Sequence, residues 1–175
     1  VSKKKILSKK NVRINDIVLA IPSNGIHSNG YSLVRAIIKK YQISKKIKKD
    51  LLAPTKIYSR EILKLVDKNL INAAAHITGG GLVENLLRSI PKELSLEIDL
   101  SKIKIKKIFK WLKKKKISDN EMMQTFNCGV GFCLITKPKN LEKIKKVFPK
   151  KYSPYEIGII TKNNKKVILK NDLRW

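Results

Sequence analysis

Asp16-Ile17-Val18-Leu19-Ala20-Ile21-Pro22-Ser23-Asn24-Gly25-Ile26-His27-Ser28-Asn29-Gly30 is the stretch on which the fold turns. Its first seven residues form an apolar, β-branched run ended by Pro, the pattern of a buried strand. Ser23 to Gly30 follow as a polar loop with glycines. Leu33, Val34, Ile37, Ile38 and Tyr41 then recur at helical spacing, one apolar stripe on a helix of about three turns. The same order returns at Ala73-Ala74-Ala75-His76-Ile77, a small apolar run before Thr78-Gly79-Gly80-Gly81. Leu82, Val83, Leu86, Leu87 and Ile90 carry a second helical stripe up to Pro91. Strand, glycine loop and helix thus occur twice, although the two copies are too dissimilar to form a sequence repeat.

Working outward, Ser44 to Asp50 reads as an exposed, lysine-rich connection, and Pro54 suits the first turn of a helix with the stripe Ile57, Ile62, Leu65 and Val66. Leu94 to Leu100 alternates like a half-exposed strand. Ile105, Ile108, Phe109 and Leu112 fit a helix with a lysine face. Asp119 or Asn120 is placed to cap a short helix over Glu121 to Phe126, Val130 to Ile135 is a further apolar run, and Leu141, Ile144 and Val147 suggest a helix ended by Pro149. Tyr155 to Thr161 and Val167 to Leu169 read as two strands joined by a tight turn at Asn163-Asn164. Helices interleaved with about six strands predict an α+β fold, a mixed sheet covered by helices on at least one face.

Composition bounds the function. The 175 residues suit one globular core, and no run of about 18 apolar residues marks a membrane span. The start, Val1-Ser2-Lys3-Lys4-Lys5, lacks the apolar segment of a secretory signal, so the expectation is a soluble, cytoplasmic protein. The absence of Met at the start suggests a piece of a longer chain. A formal charge of +27 invites a nucleic-acid reading, and a lysine-rich nucleic-acid-binding module stands as the alternative. Against it, only five of the 40 basic residues are Arg, and the lysines are spread over nearly every segment. Lys, Ile and Asn, all heavily used here, have A/T-only codons, so an AT-biased genome accounts for the excess. The two cysteines, Cys128 and Cys133, flank an apolar stretch at odd spacing, which opposes a disulfide within one strand. Two distant histidines and no Cys-x-x-Cys give no zinc pattern, and no metal-ligating residue is assigned.

Two loops carry the chemistry. Thr78, Gly79, Gly80 and Gly81 precede a helix, where glycines let backbone N–H groups approach a ligand and the helix start favours negative charge. Phosphate fits there. A tight strand-to-helix turn is the purely structural alternative, and the spacing is neither a Walker A nor a dinucleotide fingerprint. His27, Ser28, Asn29 and Gly30 place an imidazole, a hydroxyl, an amide and a glycine at another helix entrance. Ser28 or Asn29 capping the helix is the bland reading; a phosphate contact or proton transfer by His27 is the functional one. His76 reads as a packed histidine that supports the neighbouring loop. Glu84 and Asn85, one turn beyond the glycines, are placed either toward a ligand or toward solvent. Asn127 lies where a helix meets a strand, and Cys128 reads as a small packed residue.

Four motifs, in order, carry a resemblance. Pro22 through Arg35, Leu51-Leu52-Ala53-Pro54-Thr55-Lys56-Ile57-Tyr58, His76 through Gly81 with Glu84-Asn85, and Glu121-Met122 with Thr125 through Gly131 resemble the aminoimidazole ribonucleotide synthetases, or phosphoribosylformylglycinamidine cyclo-ligases. Thiamine monophosphate kinase, selenophosphate synthetase and the large amidotransferase one step earlier in purine synthesis share the architecture, but Leu-Leu-Ala-Pro-Thr and Thr-Phe-Asn-Cys-Gly favour the cyclo-ligase. The resemblance implies the carboxy-terminal domain over residues 11–175, with residues 1–10 ending an ATP-binding domain or linker. It implies ATP-dependent ring closure of formylglycinamidine ribonucleotide, with ATP and magnesium held mainly by an amino-terminal domain without which this chain is inactive. It also implies a homodimer. His27 maps onto a catalytic position, and Ser28, Asn29, Gly30, Thr78, Gly79, Gly80, Gly81 and Asn127 onto positions that bind substrate or phosphate. Departures are Ile26 in place of Pro, Asn15 in place of Gly, Leu86-Leu87 in place of Ile-Pro, and a short segment between Tyr41 and Leu51.

Overall fold

In the computed structural model, which describes residues 6–175, the apolar run is strand β1 (Ile17–Pro22), placed inside a six-stranded sheet. The other strands are β2 (Ala73–His76), β3 (Ser95–Asp99), β4 (Val130–Thr136), β5 (Tyr155–Thr161) and β6 (Val167–Lys170). Their spatial order is β2-β4-β1-β5-β3-β6, and every pairing is antiparallel except that of β3 with β6. Successive side chains of β1 point to opposite faces. Val18 and Ala20 enter one core; Ile17, Leu19 and Ile21 enter the other. A strand buried on both faces has no polar side, which is why its sequence does not alternate.

Among the described residues seven α-helices flank the sheet: α1 (Tyr31–Lys40), α2 (Lys45–Leu51), α3 (Ser59–Asp67), α4 (Gly81–Leu87), α5 (Lys107–Lys113), α6 (Asp119–Thr125) and α7 (Leu141–Lys145). Val34, Leu51, Leu86, Phe109 and Met122 bring α1, α2, α4, α5 and α6 onto the larger core. Leu65 and Ile144 bring α3 and α7 onto the smaller one. Each fully buried side chain of this size contributes about 1.5–3 kcal/mol of transfer free energy. No helix among the described residues is long and apolar enough to cross a membrane.

Several expectations are corrected. The lysine-rich Ser44 to Asp50 is helix α2, not an open connection. The Ser44 hydroxyl accepts the Ile47 N–H at 3.3 Å, and Ile47 and Leu51, four residues apart, turn the one apolar side to the core. Two residues are too few to show as a period in the sequence. Pro54 does not open α3, which starts at Ser59, and Ile57 is 78% exposed and outside the stripe. Helix α6 is capped by Ser118, whose side chain accepts from the Glu121 N–H, rather than by Asp119 or Asn120. Strands β5 and β6 do not form a hairpin. Strand β3 lies between them, so residues 162–166 step across one strand, about 9–10 Å. Ser95 of β3 holds that loop, donating its hydroxyl to the Asn163 carbonyl at 3.1 Å and accepting the Asn163 N–H at 3.0 Å. Cys128 precedes β4 in a left-handed conformation (φ +48°), and both cysteines are free and buried.

Candidate functional site

The register of β4 gathers the two loops. Strands β1 and β2 both run antiparallel to β4, one on each side, with Ile21 and His76 both opposite Phe132. Their carboxyl ends therefore leave the sheet at the same edge, beside the start of β4. The Ser23 N–H donates to the Gly129 carbonyl at 2.9 Å and the Ile77 N–H to the Gly131 carbonyl at 3.1 Å. Residues 23–30, 77–81 and 126–131 thus form one surface, although about 45 residues separate each from the next in sequence.

His27 is the centre of the first loop. It is buried, with φ +56°, and its ring centroid lies 6.1 Å from that of Tyr58 and 6.2 Å from that of His76. His27 Nε2 is 2.9 Å from Asn24 Oδ1, while Nδ1 is buried without a hydrogen-bond partner. Burial, then the neighbouring His76 and Lys106, lower the His27 pKa to about 4, so the ring is neutral at physiological pH. The Tyr58 hydroxyl donates to the Pro22 carbonyl at 3.1 Å, and burial raises its pKa further. Gly131 makes room for both rings, since a Cβ there would come within 2.7 Å of His27 Cε1 and 2.8 Å of Tyr58 Cζ. Lys56 stands over the Tyr58 ring at 4.8 Å and pairs with Glu61 at 2.9 Å. His76 is exposed on the edge strand rather than packed in the interior, stacked on Phe132 at 5.6 Å, and partial burial lowers its pKa. An open groove of about 550 Å³ runs past His76, Phe132, Tyr58, Lys56 and Thr55.

Neither Ser28 nor Asn29 caps α1. The N-cap is Gly30 at φ +75°, with no side-chain cap hydrogen bond. Gly30 is required twice over, because a Cβ would also strike the Phe126 ring. The hydroxyl of exposed Ser28 is 3.4 Å from that of Thr55, and half-buried Asn29 stands beside it. Asn127 is buried and serves the loops internally: its amide donates to the Gly25 carbonyl at 3.0 Å and accepts the Gly129 N–H at 2.9 Å.

The glycine loop is built around Asn85. This buried amide donates to the carbonyls of Thr78, Gly79 and Gly81 at 3.3, 3.1 and 2.7 Å, and accepts the Thr78 hydroxyl at 3.2 Å. It faces the loop, neither ligand nor solvent, whereas Glu84 is exposed and pairs with Arg88. A planar trans peptide sends its C=O and the following N–H in opposite directions. Fastening the Thr78 and Gly79 carbonyls to Asn85 therefore turns the N–H groups of Gly79 and Gly80 outward. Neither donates to another described residue, whereas the Gly81 N–H is taken by the Thr78 carbonyl at 3.1 Å. Gly79 is exposed, with open space where a side chain would lie. Two adjacent outward N–H groups make a small anion cradle. Gly81, at φ +69°, lets Met123 of α6 approach, so α6 and the Phe126 that follows it pack against the two glycine loops.

Sequence reading missed Asn24, Thr55, Lys56, Tyr58 and Gly131 as parts of this surface. Gly131, a glycine inside an apolar strand, was the available signal of a close approach. Asn15, where the resembled family has Gly, adopts φ +70°, a conformation Asn tolerates better than most residues.

Comparison with known proteins follows the same lines. Residues 13–170 match the family model described as AIR synthase related protein, C-terminal domain. The phosphoribosylformylglycinamidine cyclo-ligase of Streptococcus pneumoniae serotype 4 is 42% identical over 178 residues, covering 96% of this chain and 52% of that protein. The chain spans about half the length of the curated relatives it matches. Among solved structures, the thiamine-monophosphate kinase of Stenotrophomonas maltophilia is similar with a TM-score of 0.68 at 13% identity, over 99% of this chain and 56% of that one. T. maritima PurL complexed with FGAR is similar with a TM-score of 0.59 at 13% identity, over 99% of this chain and 28% of that one. The same protein complexed with ADP gives a TM-score of 0.58 at 12% identity, over 99% and 26%. At these identities the structural likeness shows a shared fold.

Proposed function

This chain belongs to the AIR synthase related protein family, as its C-terminal domain, and from that premise we propose that it serves ATP-dependent closure of the imidazole ring of aminoimidazole ribonucleotide. The observation that carries the reading is the 42% identity, over 96% of the chain, to a curated phosphoribosylformylglycinamidine cyclo-ligase. In the reaction, ATP activates the formyl oxygen of formylglycinamidine ribonucleotide, an internal nitrogen attacks the activated carbon, and ADP and phosphate leave. The nucleic-acid alternative finds no support in these matches.

In this reading the chain supplies one wall of the site. The outward N–H pair of Gly79 and Gly80, organised by Thr78, Asn85 and Gly81, fits a phosphate or transferred phosphoryl oxygen. Ser28 and Asn29, beside Thr55, fit polar groups of the ribonucleotide. Gly30 and Asn127 hold the loops in shape, and neutral His27 handles a proton. The solved PurL complexes with ADP and with FGAR are in keeping with nucleotide and ribonucleotide ligands on this architecture. Among the described residues no group of three or more His, Cys, Asp or Glu gathers at one place. On the family reading, magnesium and much of the ATP contact belong mainly to an amino-terminal domain of the enzyme, which acts as a homodimer in the cytoplasm.

A hybrid tests the reading. This chain replaces the corresponding half of the pneumococcal cyclo-ligase, and the hybrid is expressed in a purine-requiring strain that lacks the enzyme. Growth without purines is expected, and loss of growth when His27 becomes Asn. A folded hybrid that makes no aminoimidazole ribonucleotide from formylglycinamidine ribonucleotide and ATP would overturn it.

A further inference from the structure

The contacts around Asn24 leave its amide one orientation. The Lys56 backbone N–H can only donate, and it donates to Asn24 Oδ1 at 3.1 Å. The Pro54 carbonyl can only accept, and it accepts from Asn24 Nδ2. The backbone on either side thus decides which end of the amide is oxygen. That oxygen, 2.9 Å from His27 Nε2, has only acceptor capacity, so Nε2 carries the hydrogen. A neutral imidazole with hydrogen on Nε2 has a lone pair on Nδ1. Nδ1 is buried, and no described protein group donates to it. The hydroxyl of the neighbouring Tyr58 is directed to the Pro22 carbonyl instead.

We propose that Asn24 is a positioning residue that sets the tautomer of His27, fixing hydrogen on Nε2 and leaving Nδ1, buried in this structure, as the acceptor nitrogen of the ring. This rests on the ring-closing reading for the ligand and decides between two roles left open for His27. A phosphate dianion offers only acceptor oxygens, and an Nδ1 lone pair repels them. In this tautomer Nδ1 can take a hydrogen only from an N–H or O–H, such as the amidine nitrogen that closes the ring carries, and only once ligand binding uncovers it. An imidazolium would donate from both nitrogens, but the neighbours that face His27 oppose it: His76 and Lys106 are basic, and Tyr58 is neutral beneath the Lys56 ammonium.

Nitrogen-15 NMR of the 175-residue chain reads this directly, because His27 and His76 are its only histidines. A His27→Asn variant assigns the signals. At neutral pH the expected pattern for His27 is a protonated Nε2 and an unprotonated Nδ1, unchanged by millimolar inorganic phosphate. Asn24→Leu removes the acceptor and is expected to shift the ratio of the two neutral tautomers by about tenfold or more. Asn24→Asp keeps the acceptor, so Nε2–H should persist while the His27 pKa rises. Hydrogen on Nδ1 in the unaltered chain, whether as the other tautomer or as imidazolium, would overturn the proposal. So would an Asn24→Leu spectrum that still shows Nε2–H alone. If Asn24→Leu fails to fold, Asn24→Asp and the unaltered chain still decide it. The readout is nuclei rather than turnover, so it stands apart from the hybrid test of the reaction.

Discussion

Replacing Asn85 should unfasten the glycine loop. The amide accepts one hydroxyl at 3.2 Å and shares its two hydrogens among three carbonyls at 3.3, 3.1 and 2.7 Å, the shortest contact, to Gly81, being buried. A net hydrogen bond contributes about 1 kcal/mol, and the longer ones less, so Asn85→Ala should cost roughly 2–3 kcal/mol. For a domain of this size that lowers Tm by roughly 5–10 °C. Asn85→Asp is the sharper variant. It retains an oxygen to accept the Thr78 hydroxyl but turns the Nδ2 donor into a carboxylate oxygen facing three carbonyls. If donation to the carbonyls is what shapes the loop, Asn85→Asp should be at least as destabilising as Asn85→Ala. Urea unfolding of the three proteins at pH 7 measures this, with Thr78→Val as a control that loses only the hydroxyl bond. Asn85→Asp matching the unaltered chain in midpoint and slope would refute the reasoning, because the loop would then owe its shape to something else.

His27 should also make stability depend on pH. Its pKa falls from 6.5 when unfolded to about 4 when folded, so between those values the unfolded chain binds more protons. The contribution is fully present above about pH 6.5 and is lost as pH falls toward 4, to a limit of about 3 kcal/mol; His76, shifted in the same direction, adds to it. Urea titrations across this range should show a shallower slope for His27→Asn. Gly131→Ala would press a methyl against His27 Cε1 and Tyr58 Cζ; an overpacking cost of roughly 1–3 kcal/mol is expected from denaturant unfolding. Cys128 and Cys133 are buried and burial raises both pKa values, that of Cys128 to about 12. Neither should react with a thiol reagent in the native protein, and both should react in urea.

Local chemistry determined a good deal. The strand, loop and helix after Asp16, and their second occurrence after Ala73, were legible because β-branching, helical spacing and Pro or Gly at the ends act within a dozen residues. Most of the other helices and strands were legible for the same reason. Helix α2 was not, since Ile47 and Leu51 alone mark its buried side among lysines, and the Ser118 cap was missed beside two other polar candidates. The tight turn at Asn163-Asn164 was read as a hairpin because a sequence can signal a reversal without naming the neighbouring strand. That neighbour, β3, is set by non-local pairing.

The candidate site divides in the same way. His27, Gly30 and the three glycines from Gly79 to Gly81 stood out as residue types suited to proton and phosphate chemistry. Their meeting on one surface depends on β4 entering between β1 and β2, a register decided by which side chains bury on each face. Only that packing brings Tyr58 against Gly131, the Pro54–Lys56 backbone against Asn24, and the carbonyls of the glycine loop against Asn85. The sequence by itself determined the elements and the chemically capable loops, because those follow from short-range backbone preference and apolar spacing. The tertiary structure decided which nitrogen of His27 bears hydrogen and which way the glycine N–H groups face, because both depend on hydrogen-bond partners distant in sequence or fixed by how the loop closes on its helix.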